Sequence, residues 1–347
     1  TMLCDRMETI IEETGETGFH FVDEACPPDL LLQLSLEILR RGLQVTWWGN
    51  IRFEKAFTPD LAHVMAKAGC IAVSGGLEVA EERLLKLIKK GTGIKQTVQA
   101  LTAFREAGIM AHAYLMYGFP TQTKQETIEA LETVRQLFSH GLVQSGFWHR
   151  FALTAHSPVF SNPEEFDIEI LYDGHKGFAK NEVPFRERSN KTNHDQFAEG
   201  LRKSVYNFMH DQCLDMDVDQ WFEFKMPRTT SSPKMVETFV DYTFEQAAKR
   251  SPKDQVLYLG TTQVEFEDGL TYWNDLEIPE AIGEWLHHLL EQLTLDSSVS
   301  FADLKDFFCQ YFEEEMFEQF LDSEIWETLR QDGLLLLPAP RRHKAQD

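Results

Sequence analysis

Polar side chains gather where five apolar runs of this chain end. In order they are Asp23 and Glu24; Asn50 and Arg52; Gly75, Gly76 and Glu78; Tyr117, Gly118, Phe119 and Pro120; and His149, Arg150 and Thr154. In β/α folds the C-terminal ends of the strands face one mouth, and sites are built there. Acids at such a mouth suit an ammonium group or ribose hydroxyls. Arginine suits a carboxylate, and open glycine backbone suits the edge of a flat base. The set therefore fits a zwitterionic ligand that carries hydroxyls and a planar ring.

Each of these residues also has a plain structural reading. Asp23 and Glu24 can begin the turn before Pro27, Arg52 can pair with Glu54, and Glu78 can complement the N-terminus of a helix starting near residue 81. Thr123 followed by Glu126 is a capping box. Gly91-Thr92-Gly93 follows a helix instead of a strand, so it is not a dinucleotide loop. His149 and His156 lack a third ligand at useful spacing. The five cysteines, at 4, 26, 70, 213 and 309, form no metal or redox motif and read as reduced, mostly buried thiols.

The elements that would position these groups follow a clear rhythm. A helical stripe through Leu3, Met7, Ile10 and Ile11 opens the chain. Strands are expected at 19–25, 45–52, 70–78, 109–118 and 144–153. Helices are expected at 28–42, 58–69, 81–91, 94–108 and 124–141. The strands read as apolar runs, as in a parallel sheet covered by helices. The pattern predicts an α/β fold: a partial (β/α)6 TIM-like barrel whose first strand is missing, leaving a strand edge as a gap or a partner contact. Beyond it, 161–230 reads as loops with a helix at 194–212, and 227–234 has linker composition. A C-terminal α+β domain, 231–347, begins with a strand pair at 255–273. Its end, 300–337, reads as helix, helix, strand and resembles a winged helix. The domains are thus 1–160, 161–230 and 231–347.

The net charge of −23 and the lack of a basic cluster beyond the tail 341–344 argue against a nucleic-acid partner. No apolar run is long enough to span a membrane, and no signal peptide is visible, so a cytoplasmic protein is expected. A β/α-barrel lyase would need a Schiff-base lysine or a metal triad at the strand ends, and neither is present.

The stretches 19–25, 47–70, 75–91 and 111–127 together resemble the core of radical S-adenosylmethionine (SAM) enzymes, most closely the subgroup with an upstream cobalamin-binding domain. The resemblance covers about residues 7–160. It implies that Glu78 binds the ribose of SAM and that Asp23 and Glu24 receive the α-ammonium group. Arg52, with Asn50 beside it, would meet the carboxylate or ribose. The Gly76 backbone and that of Tyr117 and Gly118 would flank the ligand and its adenine. It also implies reductive cleavage of SAM to a 5′-deoxyadenosyl radical by a [4Fe-4S] cluster, with cobalamin-dependent methyl transfer a frequent outcome. The defining CxxxCxxC motif is absent, and Cys4 alone cannot replace three thiolates. The expectation is therefore a fragment of a longer enzyme, with the cluster strand and cobalamin domain upstream. The alternative is a cluster-free scaffold or binding subunit that keeps a degenerate SAM-binding barrel.

Overall fold

The computed structural model describes residues 2–171, 181–247, 249–267, 270–273, 276–296 and 299–338. The basic tail 341–344 lies outside them. The chain packs as two compact units. One takes Ile11–Leu31 and Gln44–Phe244; the other takes Thr1–Ile10, Leu32–Leu43 and Glu245–Asp347.

The first of these units is organised by a parallel sheet of five strands in sequential order: β1 Gly18–Phe21, β2 Thr46–Ile51, β3 Cys70–Glu78, β4 Met110–Tyr117 and β5 Ser145–Arg150. Helices alternate with the strands along the chain: α1 Met2–Thr14 and α2 Pro28–Arg41, which fall mostly in the other unit, then α3 Pro59–Lys67, α4 Glu82–Leu87, α5 Ile94–Glu106 and α6 Lys124–Ser139 in this one. The start signals act as expected. The Thr58 side chain accepts from Leu61 N, with Pro59 at the first position of α3. Thr123 and Glu126 close a capping box on α6. The arrangement is the α/β sheet of a partial barrel. Among the described strands β1 pairs only with β2, and β5 only with β4, so neither edge is paired with a further strand.

Burial alternates along the strands, which corrects the expectation of apolar runs covered on both faces. Residues of β2 and β4 are buried at every second position. Trp47, Val73, Ala111, Ala113, Leu115, Tyr117 and Trp148 make the covered face, against which α3 and α5 pack. The other face runs across the register. His20, Trp48, Ala72 and Met110 share one level; Asn50, Ser74, His112 and Ser145 the next; then Gly76, Tyr114 and Phe147, and finally Met116 with His149. Trp48, Met110, Tyr114 and Phe147 on it are exposed.

After β5 come a short helix, α7 Pro158–Ser161, and a small hairpin of β6 Ile168–Ile170 with β7 Phe185–Glu187. The helix expected at 194–212 divides into a 3₁₀ turn, His194–Phe197, and α8 Ala198–Phe208. The supposed linker 227–234 is held down instead. Glu129 accepts from Thr229 Oγ1 (2.6 Å), from Thr230 N (2.8 Å) and from Ser231 N (3.1 Å). One packing boundary falls at 244/245, within α9 Met235–Ala247.

The other unit holds β8 Gln255–Tyr258, β9 Val264–Glu267, β10 Leu270–Trp273, β11 Leu276–Ile278, α10 Glu280–Gln292, α11 Phe301–Phe308, α12 Glu315–Leu321, α13 Glu324–Asp332 and β12 Leu334–Leu337. Its core is aromatic: Trp285 meets Phe308 and Phe320 edge-on, and Trp273, Phe317 and Trp326 join the same cluster. The strand pair expected within 255–273 forms between β9 and β10. β8 pairs with β12, while β9, β10 and β11 make a separate antiparallel sheet. Gly260 and Thr262 lie between the two sets, and Tyr258 Oη donates to Thr262 O (3.1 Å). The 300–337 segment has three helices before its strand, one more than expected.

Candidate functional site

The centre of the site is the end of β3. Its register slips between Gly76 and Glu78. Glu78 (φ 57°) and Ala80 (φ 48°) both take the left-handed conformation, which costs non-glycine residues about 1–2 kcal/mol each. Strain of this kind persists where surrounding contacts fix the backbone. The two glycines before it have different reasons. A Cβ on Gly75 would lie 2.6 Å from the Phe53 ring, and one on Gly76 would lie 2.1 Å from Glu78 Oε1. Gly75 thus makes room for the core, and Gly76 for the Glu78 carboxylate.

Glu78 is not alone. Its Oε1 is 2.6 Å from Lys90 Nζ, with both side chains largely buried. Arg52 donates through Nη2 to the Lys90 carbonyl and lies 3.8 Å from Glu54. Lys90 therefore ties Arg52 and Glu78 to one corner. Sequence reading missed it because 81–91 looked like a continuous basic helix. The helix in fact stops at Leu87: Lys89 takes φ 54°, Lys90 N bonds Leu85 O and Lys89 N bonds Lys86 O. That is a Schellman turn with lysine in place of glycine, and it swings Lys90 back to β3.

Asn50 lies between β1 and β3. Its Nδ2 donates to Asp23 O (3.0 Å) and its backbone carbonyl accepts from Cys26 N (2.8 Å). Its Oδ1 is buried without a partner among the described residues. Asp23 and Glu24 are exposed on the loop after β1. This loop, Asn50, Arg52, Gly76 and Glu78 therefore occupy the ends of three neighbouring strands.

Tyr117 and Gly118 are placed differently. The Tyr117 ring lies on the covered face, edge-on to Trp148 with the Arg150 guanidinium above it. Burial pushes its hydroxyl pKa up. Gly118 (φ 71°) gives its N–H to Gln122 Oε1 (2.6 Å), and its carbonyl accepts from Arg150 Nη1 (2.7 Å). The expected open backbone at Gly118 is thus already engaged. Arg150 also pairs with Asp195 (3.0 Å). Beside this turn lies a buried polar group that had no motif to announce it. Glu187 accepts from Thr121 N (2.7 Å), Asn190 Nδ2 (2.8 Å) and His194 Nε2 (2.9 Å). Burial would raise the Glu187 pKa, but the hydrogen bonds from His194, Thr121 and Asn190 outweigh it and hold the carboxyl below its ordinary range. His194 is 2 % exposed, and its Nδ1 has no partner among the described residues. The residues 187–195 thus brace the turn after β4.

Glu126, read as a cap, is a cap and also pairs with Arg83. His149 stands on the open face beside Phe147, and Thr154 bridges to Glu182. Among the described residues no three His, Cys, Asp or Glu side chains gather to hold a metal ion. Cys4, Cys26 and Cys70 are buried, whereas Cys213 and Cys309 are exposed, and all are free. Three thiolates in reach of one another are required for a site-differentiated [4Fe-4S] cluster. The donors described here do not fit one.

This geometry, a five-stranded parallel sheet with a strained Gly-Gly-x-Glu strand end, is the setting for the family match. Residues 48–134 match the model of the radical SAM superfamily. An uncharacterized methyltransferase of Pyrococcus horikoshii is 29 % identical over 106 residues, 30 % of this chain and 23 % of that protein. The anaerobic magnesium-protoporphyrin IX monomethyl ester cyclase of Rubrivivax gelatinosus is 26 % identical over 175 residues, 48 % of this chain and 31 % of its own length. The chain thus spans less than a third of these two curated relatives. Among solved structures, the radical SAM methyltransferase TsrM of Kitasatospora setae superposes at TM-score 0.38 and 18 % identity, over 50 % of this chain and 36 % of that one.

Proposed function

We propose that this chain supplies the SAM-holding part of a radical SAM enzyme. The observation that carries the reading is the end of β3, where Gly76 leaves space for a strained, partly buried Glu78 at the mouth of the sheet. Glu78 would accept from the ribose hydroxyls, using the oxygen that Lys90 leaves free. Asp23 and Glu24 would face the α-ammonium group and Arg52 the carboxylate. Asn50 Oδ1, buried and unpartnered, is a ready acceptor between them. The sheet is taken as part of a (β/α)6 barrel, and the C-terminal unit as a winged-helix-like packing module.

The [4Fe-4S] cluster, and cobalamin if the protein transfers methyl groups, would be held by a longer protein. The residues here contribute binding and orientation of SAM. A second reading, a cluster-free binding module, draws on the absence of a three-thiolate set among the described residues. Calorimetric titration with SAM tests the main reading. The wild-type chain should bind it, and Glu78→Ala should weaken binding at least tenfold; unchanged affinity would remove the ribose assignment. Incubated anaerobically with SAM and dithionite, the chain should yield no 5′-deoxyadenosine. Reductive cleavage under those conditions would refute the view that the cluster lies elsewhere.

A further inference from the structure

We propose that Lys90 is a positioning residue that makes Glu78 read one ribose hydroxyl instead of two, an inference that rests on the SAM reading of the same site. A carboxylate accepts hydrogen bonds on both of its oxygens. The two hydroxyls of a ribose sit on neighbouring carbons, so an unengaged carboxylate can take one on each oxygen. The Glu78 carboxylate is already engaged on one side. Its Oε1 lies 2.6 Å from Lys90 Nζ, whereas Oε2 has no partner among the described residues and reaches solvent. The two oxygens are therefore unequal before any ligand arrives.

Three elements fix this inequality. On β3, Glu78 (φ 57°) turns its carboxylate back over Gly76. The Lys90 ammonium stands over the same glycine, where a Cβ would lie 2.7 Å from Nζ. At the end of α4, the Lys90 N–H bonds Leu85 O (3.1 Å). From the end of β2, Arg52 donates to the Lys90 carbonyl. Gly91 follows at φ 80°, and a Cβ on it would lie 3.2 Å from Arg52 Nη2, so glycine there gives the guanidinium its room. The Lys90 backbone is thus held at both its N–H and its carbonyl, with the side chain aimed at β3.

Burial makes the hold durable. The Lys90 and Glu78 side chains are 17 % and 28 % exposed, and attraction between opposite charges grows as water is excluded. A ribose hydroxyl carries no charge, so it competes poorly with the ammonium for Oε1. It takes Oε2, and the second hydroxyl is left to water or to other groups. Because Lys90 offsets its charge, Glu78 serves as an acceptor here and not as a counter-charge.

The test uses the full chain and three probes, SAM, 2′-deoxy-SAM and 3′-deoxy-SAM, with affinities read by calorimetry. A hydrogen bond to a charged group is worth about 10–150-fold in affinity. In the wild type, one deoxy form should therefore bind at least tenfold more weakly than SAM, and the other within threefold of it. Lys90→Met keeps a long side chain and removes the charge. Both oxygens are then free, and the two deoxy forms should bind within threefold of each other. The ratio of the two is the readout, because a merely loosened site would weaken both alike; scanning fluorimetry checks that the variant folds. Equal affinities of the two forms in the wild type, both weak or both tight, would overturn the proposal without the variant. An unequal ratio that persists in folded Lys90→Met would overturn the role of Lys90. SAM binding with equal deoxy forms refutes this inference alone, whereas a wild-type chain that fails to bind SAM refutes the SAM reading beneath it.

Discussion

The Gly75-Gly76 pair allows stability and ligand binding to be separated by two neighbouring methyl groups. In Gly75→Ala the added carbon would sit 2.6 Å from Phe53 Cε2 and 2.7 Å from Cζ, and Phe53 is 1 % exposed. The ring must push into packed neighbours. Overpacking of this kind costs about 1–3 kcal/mol, which at about 2–4 °C per kcal/mol for a domain of this size lowers Tm by several degrees. In Gly76→Ala the added carbon would sit 2.1 Å from Glu78 Oε1 and 2.7 Å from Lys90 Nζ. Both are tips of long side chains and can swing aside. The ion pair is largely buried, so losing it costs somewhat more than the ~0–1 kcal/mol of an exposed pair, limited because both displaced tips can reach solvent. Displacing the carboxylate, however, removes a charged acceptor worth about 1.5–3 kcal/mol to a bound ribose, or about 10–150-fold in SAM affinity. Differential scanning fluorimetry and calorimetric SAM titration on both variants read the two effects. A Gly76→Ala protein that binds SAM like the wild type would refute the assignment of Glu78. A Gly75→Ala protein with an unchanged Tm would refute the packing argument.

Other outcomes follow from the same geometry. Burial would raise the Glu129 carboxyl, but the hydrogen bonds from Ser231, Thr229 and Thr230 bring it down to about 2. A depressed folded pKa stabilises above the ordinary carboxylate range and is lost as pH falls through about 2. After allowance for its solvent exposure this amounts to about 1–2 kcal/mol. Glu129→Gln should therefore speed amide exchange at Thr230 and Ser231 about 5–30-fold at pH 7, with the difference from wild type narrowing by about pH 3; a constant difference would contradict the linkage. Glu187→Gln should loosen the turn after β4 by about 1–3 kcal/mol, since it weakens hydrogen bonds to a buried charge, and faster exchange at Thr121 N–H would report it. Lys89→Gly should raise Tm slightly, by relieving about 1 kcal/mol of left-handed strain, because its ion pair with Glu165 (3.2 Å) is highly exposed; a fall in Tm would show that the pair matters more than the backbone.

Much of the fold was legible because its signals are local. All five strands of the sheet, and the helices between them, lie within a few residues of their expected places, each set by apolar periodicity and by caps such as Thr58 and Thr123. The strand-end positions of Asp23, Glu24, Asn50, Arg52, Gly76 and Glu78 were legible for the same reason. Lys90 was not, because a Schellman turn on lysine has no sequence mark as plain as glycine. Glu187 and His194 were not, because they meet across a loop region without period. The partner of β8 was not legible because β12 is far along the chain, and pairing at that distance leaves no pattern in either segment.

The alternation of burial along β2 to β5 has a consequence for how such a protein can change. Odd and even positions of one strand answer to different demands: Ala111, Ala113 and Leu115 hold the helices, while Met110, His112 and Tyr114 face outward. Ligand preference can then be rewritten at every second residue without renegotiating the core. A saturation-mutagenesis scan of β4 should show tolerance with a period of two, the mark of a scaffold that separates what it must keep from what it is free to vary.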